Sequence, residues 1–97
     1  MANHDPQFTL ICFDVAQDVR RRSRIARELE NAGTRVQKSV FEAWLTPAQQ
    51  KALELRLAKL LSPADRLEFH VLRPLDVSRI HVLAGCAPLD NPAYRVI

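Results

Sequence analysis

Asp14 closes an otherwise apolar run, 8–13, of the kind that forms a buried strand. A carboxylate buried there without a partner would be strongly destabilising, so it calls for water, a cation or a hydrogen-bond donor. Asp18 follows four residues on, and then, after Val19, comes Arg20-Arg21-Arg22. A carboxylate beside a phosphate-binding helix start suits a hard cation held between protein and phosphodiester. A turn-forming or capping Asp satisfies the same pattern, so both readings stand. One carboxylate per chain is too little for Mg²⁺, which takes about six oxygen ligands and keeps several waters. A two-fold pair of chains would double Asp14, with phosphate oxygens and water filling the other positions.

Basic residues crowd the next stretch. Residues 20–38 carry Arg20, Arg21, Arg22, Arg24, Arg27, Arg35 and Lys38 against Glu28 and Glu30, a net +5, while the rest of the chain sums to −2. Eleven of the fourteen basic residues are Arg, the side chain suited to bidentate phosphate contacts. With a net charge of +3 and a pI near 9.3, a polyanion is the natural partner. The alternative is a solvated helix face laced by pairs such as Arg24–Glu28 and Arg27–Glu30.

Other chemistry is excluded more firmly. His4, His70 and His81 share no metal-ligand spacing with one another or with Cys12 and Cys86. Gly33 and Gly85 are the only glycines, so neither a dinucleotide-binding loop nor a Walker loop is possible. Seryl and cysteinyl nucleophile motifs are absent. His70 and His81 fall on the polar faces of their expected strands and read as surface or interface residues. Cys12 reads as a reduced, buried thiol.

The elements that position these groups follow from periodicity. Residues 8–14 predict a strand buried on both faces. Asp18 predicts an N-cap, and Ile25, Leu29 and Ala32 give the following helix its apolar stripe. Gly33 is expected as a left-handed residue ending that helix. Residues 34–45 read as extended, broken at Gln37-Lys38-Ser39 by either a bulge or a very tight hairpin. Thr46, Pro47 and Gln49 form a helix start with a capping box, and Leu53, Leu57 and Leu60 share one face of that helix before Ser62-Pro63. Leu67, Phe69 and Val71 alternate with Glu68 and His70 as a half-buried strand. Ile80, Val82 and Ala84 repeat the alternation, and a last extended piece is expected at 94–97.

That order, in 97 residues, predicts one α+β domain spanning 1–97 with a ferredoxin-like βαββαβ sandwich and one extra C-terminal strand. Hydrophobic residues at 47% and charged ones at 26% exclude a disordered chain. No apolar run approaches the roughly 20 residues of a membrane span, and 8–13 is too short for a secretory core. A cytoplasmic protein is expected.

Phe13-Asp14-Val15, Asp18, Arg20-Arg21, Leu29-Glu30, Gly33, Arg35-Val36-Gln37 and Ser39-Val40-Phe41-Glu42 occur in an order that resembles a known family. It is the small CRISPR-associated adaptation protein, number two of the Cas series, described as an endoribonuclease or endonuclease. The likeness covers 8–72 well and the tail loosely. It implies the same ferredoxin-like core, with Gln37 to Ser39 as the joint between two short strands. It implies a homodimer with facing sheets and crossing C-terminal strands, Asp14 as the Mg²⁺ ligand, and cleavage of single-stranded RNA or duplex DNA. It further implies a stable complex with the CRISPR integrase, bridged along the DNA to be inserted. Arg21, Arg35 and Phe41 match positions tied to nuclease activity. Three residues depart from the family pattern: Phe13 stands for Tyr, Ala43 for Gly and His70 for Tyr, the first removing a phenolic hydroxyl.

Two functions are consistent with this reading. One is slow, Mg²⁺-assisted phosphodiester hydrolysis at Asp14, with Arg21 or Arg35 positioning the backbone and no evident general base. The other, favoured as the main role, is a non-catalytic adaptor gripping duplex DNA through Arg20, Arg21, Arg22, Arg24, Arg35 and Lys38. A generic RNA-binding module on this fold would need paired aromatics in a Gly-Phe pattern, which the sequence lacks.

Overall fold

The computed structural model describes residues 5–16 and 18–81. Every interior position of β1 (Gln7–Asp14) is apolar or β-branched, and the strand takes the inner place in the sheet that such a run demands. It is followed by α1 (Val19–Ala32), β2 (Thr34–Gln37), β3 (Val40–Leu45), α2 (Pro47–Ala58), β4 (Arg66–Leu72) and the single turn α3 (Pro74–Val77). The sheet order is β2-β3-β1-β4, antiparallel at every pairing. Each of the two βαβ units is therefore split by a strand of the other, which is the ferredoxin-like βαββαβ arrangement.

Alternation sorts the side chains of the sheet. Ile11 and Phe13 of β1 and Phe41, Ala43 and Leu45 of β3 are buried in one cluster with Ile25, Ala26 and Leu29 of α1 and Leu53 and Leu57 of α2. Full burial of a Leu, Ile or Phe contributes about 1.5–3 kcal/mol, so this stripe, more than helix propensity, fixes both helices on one face. The other face carries Leu10, Cys12, Val40, Glu42, Trp44 and Leu72, all half-buried, with neither α1 nor α2 over it. Cys12 is thus a free thiol on that face rather than a core residue. Phe8 is buried there against Trp44, edge to face with ring centroids 5.4 Å apart. No helix among the described residues is long and apolar enough to cross a membrane.

The expected caps are present. The Asp18 carboxylate accepts the Arg21 backbone N–H at 3.1 Å. Thr46 Oγ1 accepts from Gln49 N–H at 3.1 Å and the Gln49 side chain accepts from Thr46 N–H at 2.9 Å, which completes the capping box. The break in 34–45 is both things at once. Lys38-Ser39 makes a two-residue turn, and the register steps from Arg35↔Phe41 to Gln37↔Val40, which leaves Val36 as a bulge.

Three further expectations are corrected. Gly33 is extended (φ −163°), not left-handed, so conformational freedom is not why it is glycine. A Cβ there would overlap the Glu42 carbonyl oxygen and lie 2.7 Å from Ala43 Cβ, so the end of α1 comes too close to β3 for any side chain. Val71 is 42% exposed because β4 is an edge strand and the core reaches only Leu67 and Phe69 along it. Residues 79–81 are not strand. Pro74 starts α3, Arg73 pairs with Asp76 at 3.1 Å, and the Arg79 and Ile80 N–H groups donate to Asp76 and Val77 carbonyls, away from any sheet. His4, Val82, Ala84, Gly85, Cys86 and the terminal strand at 94–97 lie outside the described residues.

Gly33→Ala should lower the unfolding free energy by about 1–3 kcal/mol, since backbone and Ala43 must both give way. A urea titration monitored by circular dichroism reads this directly, and an unchanged midpoint would contradict the close packing of α1 on β3.

Candidate nucleic-acid interface

The stretch between β1 and α1 carries Asp14 and the first arginines, and it is held from across the molecule by Asp65. That side chain, in the loop between α2 and β4, is fully buried. One carboxylate oxygen accepts Ala16 N–H at 3.0 Å, and the other accepts Ser62 N–H at 2.7 Å and the Arg21 guanidinium. Arg21 also donates to the Ala16 carbonyl at 3.3 Å and lies 3.9 Å from Asp18. Its charge is therefore engaged inside the protein, with the side chain 23% exposed. A buried carboxylate that accepts from three donors has its hydrogen-bonding needs met without a metal. Sequence reasoning missed Asp65. The available signal was local: Ser62-Pro63-Ala64-Asp65 places an acidic side chain three residues after a turn-starting N–H.

Asp14 is exposed at the end of β1, in register with Arg66. It lines an open cleft of about 390 Å³ with Phe13, Val15, Arg22, Arg35, Lys38 and Ser39. The Ser39 carbonyl accepts Phe13 N–H at 3.0 Å, which fixes the β2–β3 turn against β1. Arg35 donates from Nε and Nη2 to the Lys38 carbonyl at 3.1 and 2.7 Å, pairs with Glu30 at 3.4 Å, and lies 5.4 Å above the Phe41 ring. Phe41 itself is fully buried, so it supports Arg35 from below and meets nothing in solution.

The remaining cations are different. Glu28 pairs with Arg56 of α2 at 3.3 Å and Glu30 with Arg35, so the pairs expected along α1 are replaced by pairs to other elements. Among the described residues Arg20, Arg22, Arg24, Arg27 and Lys38 form no ion pair. Arg20, Arg24, Arg27 and Lys38 are exposed, whereas Arg22 is half-buried with an Nε that has no hydrogen-bond partner. The segment thus presents several uncompensated positive charges, as an anion-binding surface requires. Of the six residues expected to bind nucleic acid, Arg22, Arg35 and Lys38 meet at the cleft, Arg20 and Arg24 lie outside its lining, and Arg21 faces Asp65.

A metal fits one chain poorly. No group of three or more His, Cys, Asp or Glu among the described residues could hold one. Asp14 shares its cleft with three cations, whose charges repel Mg²⁺. On the open sheet face, Glu68 joins Arg66 to His70, whose Nε2 lies 2.8 Å from Glu68. The Arg66 guanidinium first, and His70 second, hold the Glu68 carboxyl below its usual range.

Comparison with known proteins follows the same lines. The family model described as CRISPR associated protein Cas2 matches residues 7–79. A Synechocystis sp. protein named CRISPR-associated endoribonuclease Cas2 3 is 37% identical across 91% of this chain and 95% of its own length. A Thermus thermophilus protein named CRISPR-associated endoribonuclease Cas2 is 40% identical across 90% of this chain and 95% of its own. Among solved structures, a chain of a partial Cas6-RT-Cas1–Cas2 complex superposes with a TM-score of 0.75 and 31% identity, covering 94% of this chain and 99% of that one.

Asp65→Ala should lower stability by about 2–4 kcal/mol, because it strands the Arg21 guanidinium and two backbone donors. Asp14→Ala, at an exposed strand end, should change it by less than about 0.5 kcal/mol. Equal urea midpoints for the two variants would remove Asp65 from its structural role.

Proposed function

This chain belongs to the CRISPR associated protein Cas2 family, and on that premise we propose that it serves CRISPR adaptation in the cytoplasm as a dimeric, DNA-binding bridge in an integrase complex. The observation that carries this reading is the set of cations on α1 and at the β2–β3 turn that have no anionic partner among the described residues. Each Lys or Arg laid against a phosphate releases condensed counterions, so affinity comes from the backbone and not from sequence. Binding of this kind needs no metal and no general base. The relative solved within a Cas1–Cas2 complex supports an integrase as the protein partner. The open sheet face, with Leu10, Cys12, Val40 and Leu72 half-buried, suits a second copy of the chain.

The names of the curated relatives, CRISPR-associated endoribonucleases, favour a second reading, cleavage of RNA, to which the sequence reading adds Mg²⁺ dependence and duplex DNA as an alternative substrate. It makes a demand the bridge does not. One chain supplies one carboxylate, so a Mg²⁺ site would need Asp14 from two copies together with phosphodiester oxygens. Bound there, Mg²⁺ would offset charge on the scissile phosphate and acidify a water. The duties of the chain itself are to place the strand, through Arg22, Arg35 and Lys38, and to keep Asp14 solvent-facing.

Asp14→Asn separates the two readings, since it removes charge from an exposed site at nearly constant volume. Duplex binding should persist or tighten slightly, because the carboxylate of the cationic cleft is gone. Spacer integration in a reconstituted complex should continue, while any Mg²⁺-dependent cleavage of RNA or DNA should stop. Integration that fails with fold, dimer and duplex binding intact would show that chemistry at Asp14 is required and that the bridge reading is wrong.

A further inference from the structure

Arg21 and Arg22 are adjacent in sequence and sit in opposite electrostatic situations. Arg21 contributes its guanidinium to a buried carboxylate and to the Ala16 carbonyl. Arg22 lines the cleft beside Asp14, forms no ion pair among the described residues, and has a buried Nε without a hydrogen-bond partner. Nearly all buried donors in folded proteins are paired, and a charged one left unpaired is a defect unless something from outside completes it.

From this we infer that the cleft is a seat for one backbone phosphate of nucleic acid, with Arg22 and Lys38 as its ligands and Arg21 as a framing residue that never reaches the strand. The inference rests on the nucleic-acid-binding reading above and deepens it. Arg35 is less available than Arg22, because two of its donors are engaged by the Lys38 carbonyl and a third faces Glu30. That same contact to the Lys38 carbonyl, with Phe13 N–H bonded to the Ser39 carbonyl, holds the turn so that the base of Lys38 has a fixed place. Phe13 and Val15, each 7% exposed, make the inner wall apolar, which strengthens charge attraction across the cleft. Three cations to one carboxylate leave the seat positive, as a phosphate requires and a free metal ion does not.

The assignment makes an unusual prediction about stability. Removing a residue that binds a ligand and meets no partner in the free protein should not harm the fold. Arg22→Ala should therefore leave the melting temperature of the unliganded protein unchanged or raised. Its binding to a 20-base-pair duplex should weaken about tenfold at 50 mM salt, with the slope of log K against log[salt] shallower by about 0.9, the value of one lost phosphate contact. Arg21→Ala should do the reverse, lowering the melting temperature while leaving the slope unchanged at a temperature where the variant is folded. Arg21→Lys, which keeps a charge opposite Asp65, serves where the alanine variant does not fold, and its slope should also match wild type. Arg22→Lys should restore the slope. A wild-type protein that binds duplex while Arg22→Ala keeps the full slope would overturn the assignment and leave the wider DNA-binding reading standing. A slope that falls in Arg21→Lys instead would overturn it equally. A wild-type protein that binds no duplex at all would overturn both.

Discussion

Asp65 is the group on which the arrangement of the site depends. It lies in a loop with no regular structure, yet its two oxygens take up a backbone N–H from the β1–α1 connection, one from its own turn, and the guanidinium of Arg21. Burying an ionised carboxylate is strongly unfavourable on its own, and only a full set of donors offsets it. Once the set is complete the geometry has no slack. The start of α1 is tied to the start of β4, next to the end of β1, where Asp14 is in register with Arg66. Asp14 and Arg22, on either side of that tie, are held in place by a group that neither of them touches.

The consequence is a division of labour within one basic segment. Arg21 is committed to the frame, Arg35 is locked over Phe41 and onto the turn, and the remaining cations have no anionic partner among the described residues. A bulge at Val36 makes the second of these possible. By shifting the register it keeps Arg35 opposite Phe41 while the two-residue turn brings the Lys38 carbonyl back to the guanidinium. Cations engaged by the fold and cations without an anionic partner among the described residues thus alternate along the chain, and charge counting alone does not separate them.

Much of the fold was legible because its signals are local. The apolar run of β1, the Asp18 cap and the Thr46-Pro47-Gln49 box each act within a few residues; the two caps appear as read, and β1 takes the inner place expected of it, with its second face half-buried rather than fully buried. The break in 34–45 was found but not resolved, since a bulge and a hairpin leave the same polar interruption. What escaped depends on approach between distant segments. Gly33 is glycine because β3 passes close by, which no property of α1 announces. Val71 is exposed because the helical layer ends before it. Asp65 reads as an ordinary turn acid until Arg21 and Ala16 are brought to it from more than 40 residues away. At the site, the cluster of basic residues was visible from composition, and which of them stay unpaired was not.

Amide hydrogen exchange at Ala16 and Ser62 tests the role of Asp65 most directly, because both N–H groups lie outside regular helices and strands and donate to that one carboxylate. The account predicts that both exchange slowly, with protection approaching that of core amides such as Ile11, and that both lose it together in Arg21→Ala. Exchange at the rate of an open loop for either amide in the wild-type protein would contradict the claim that this buried carboxylate frames the site.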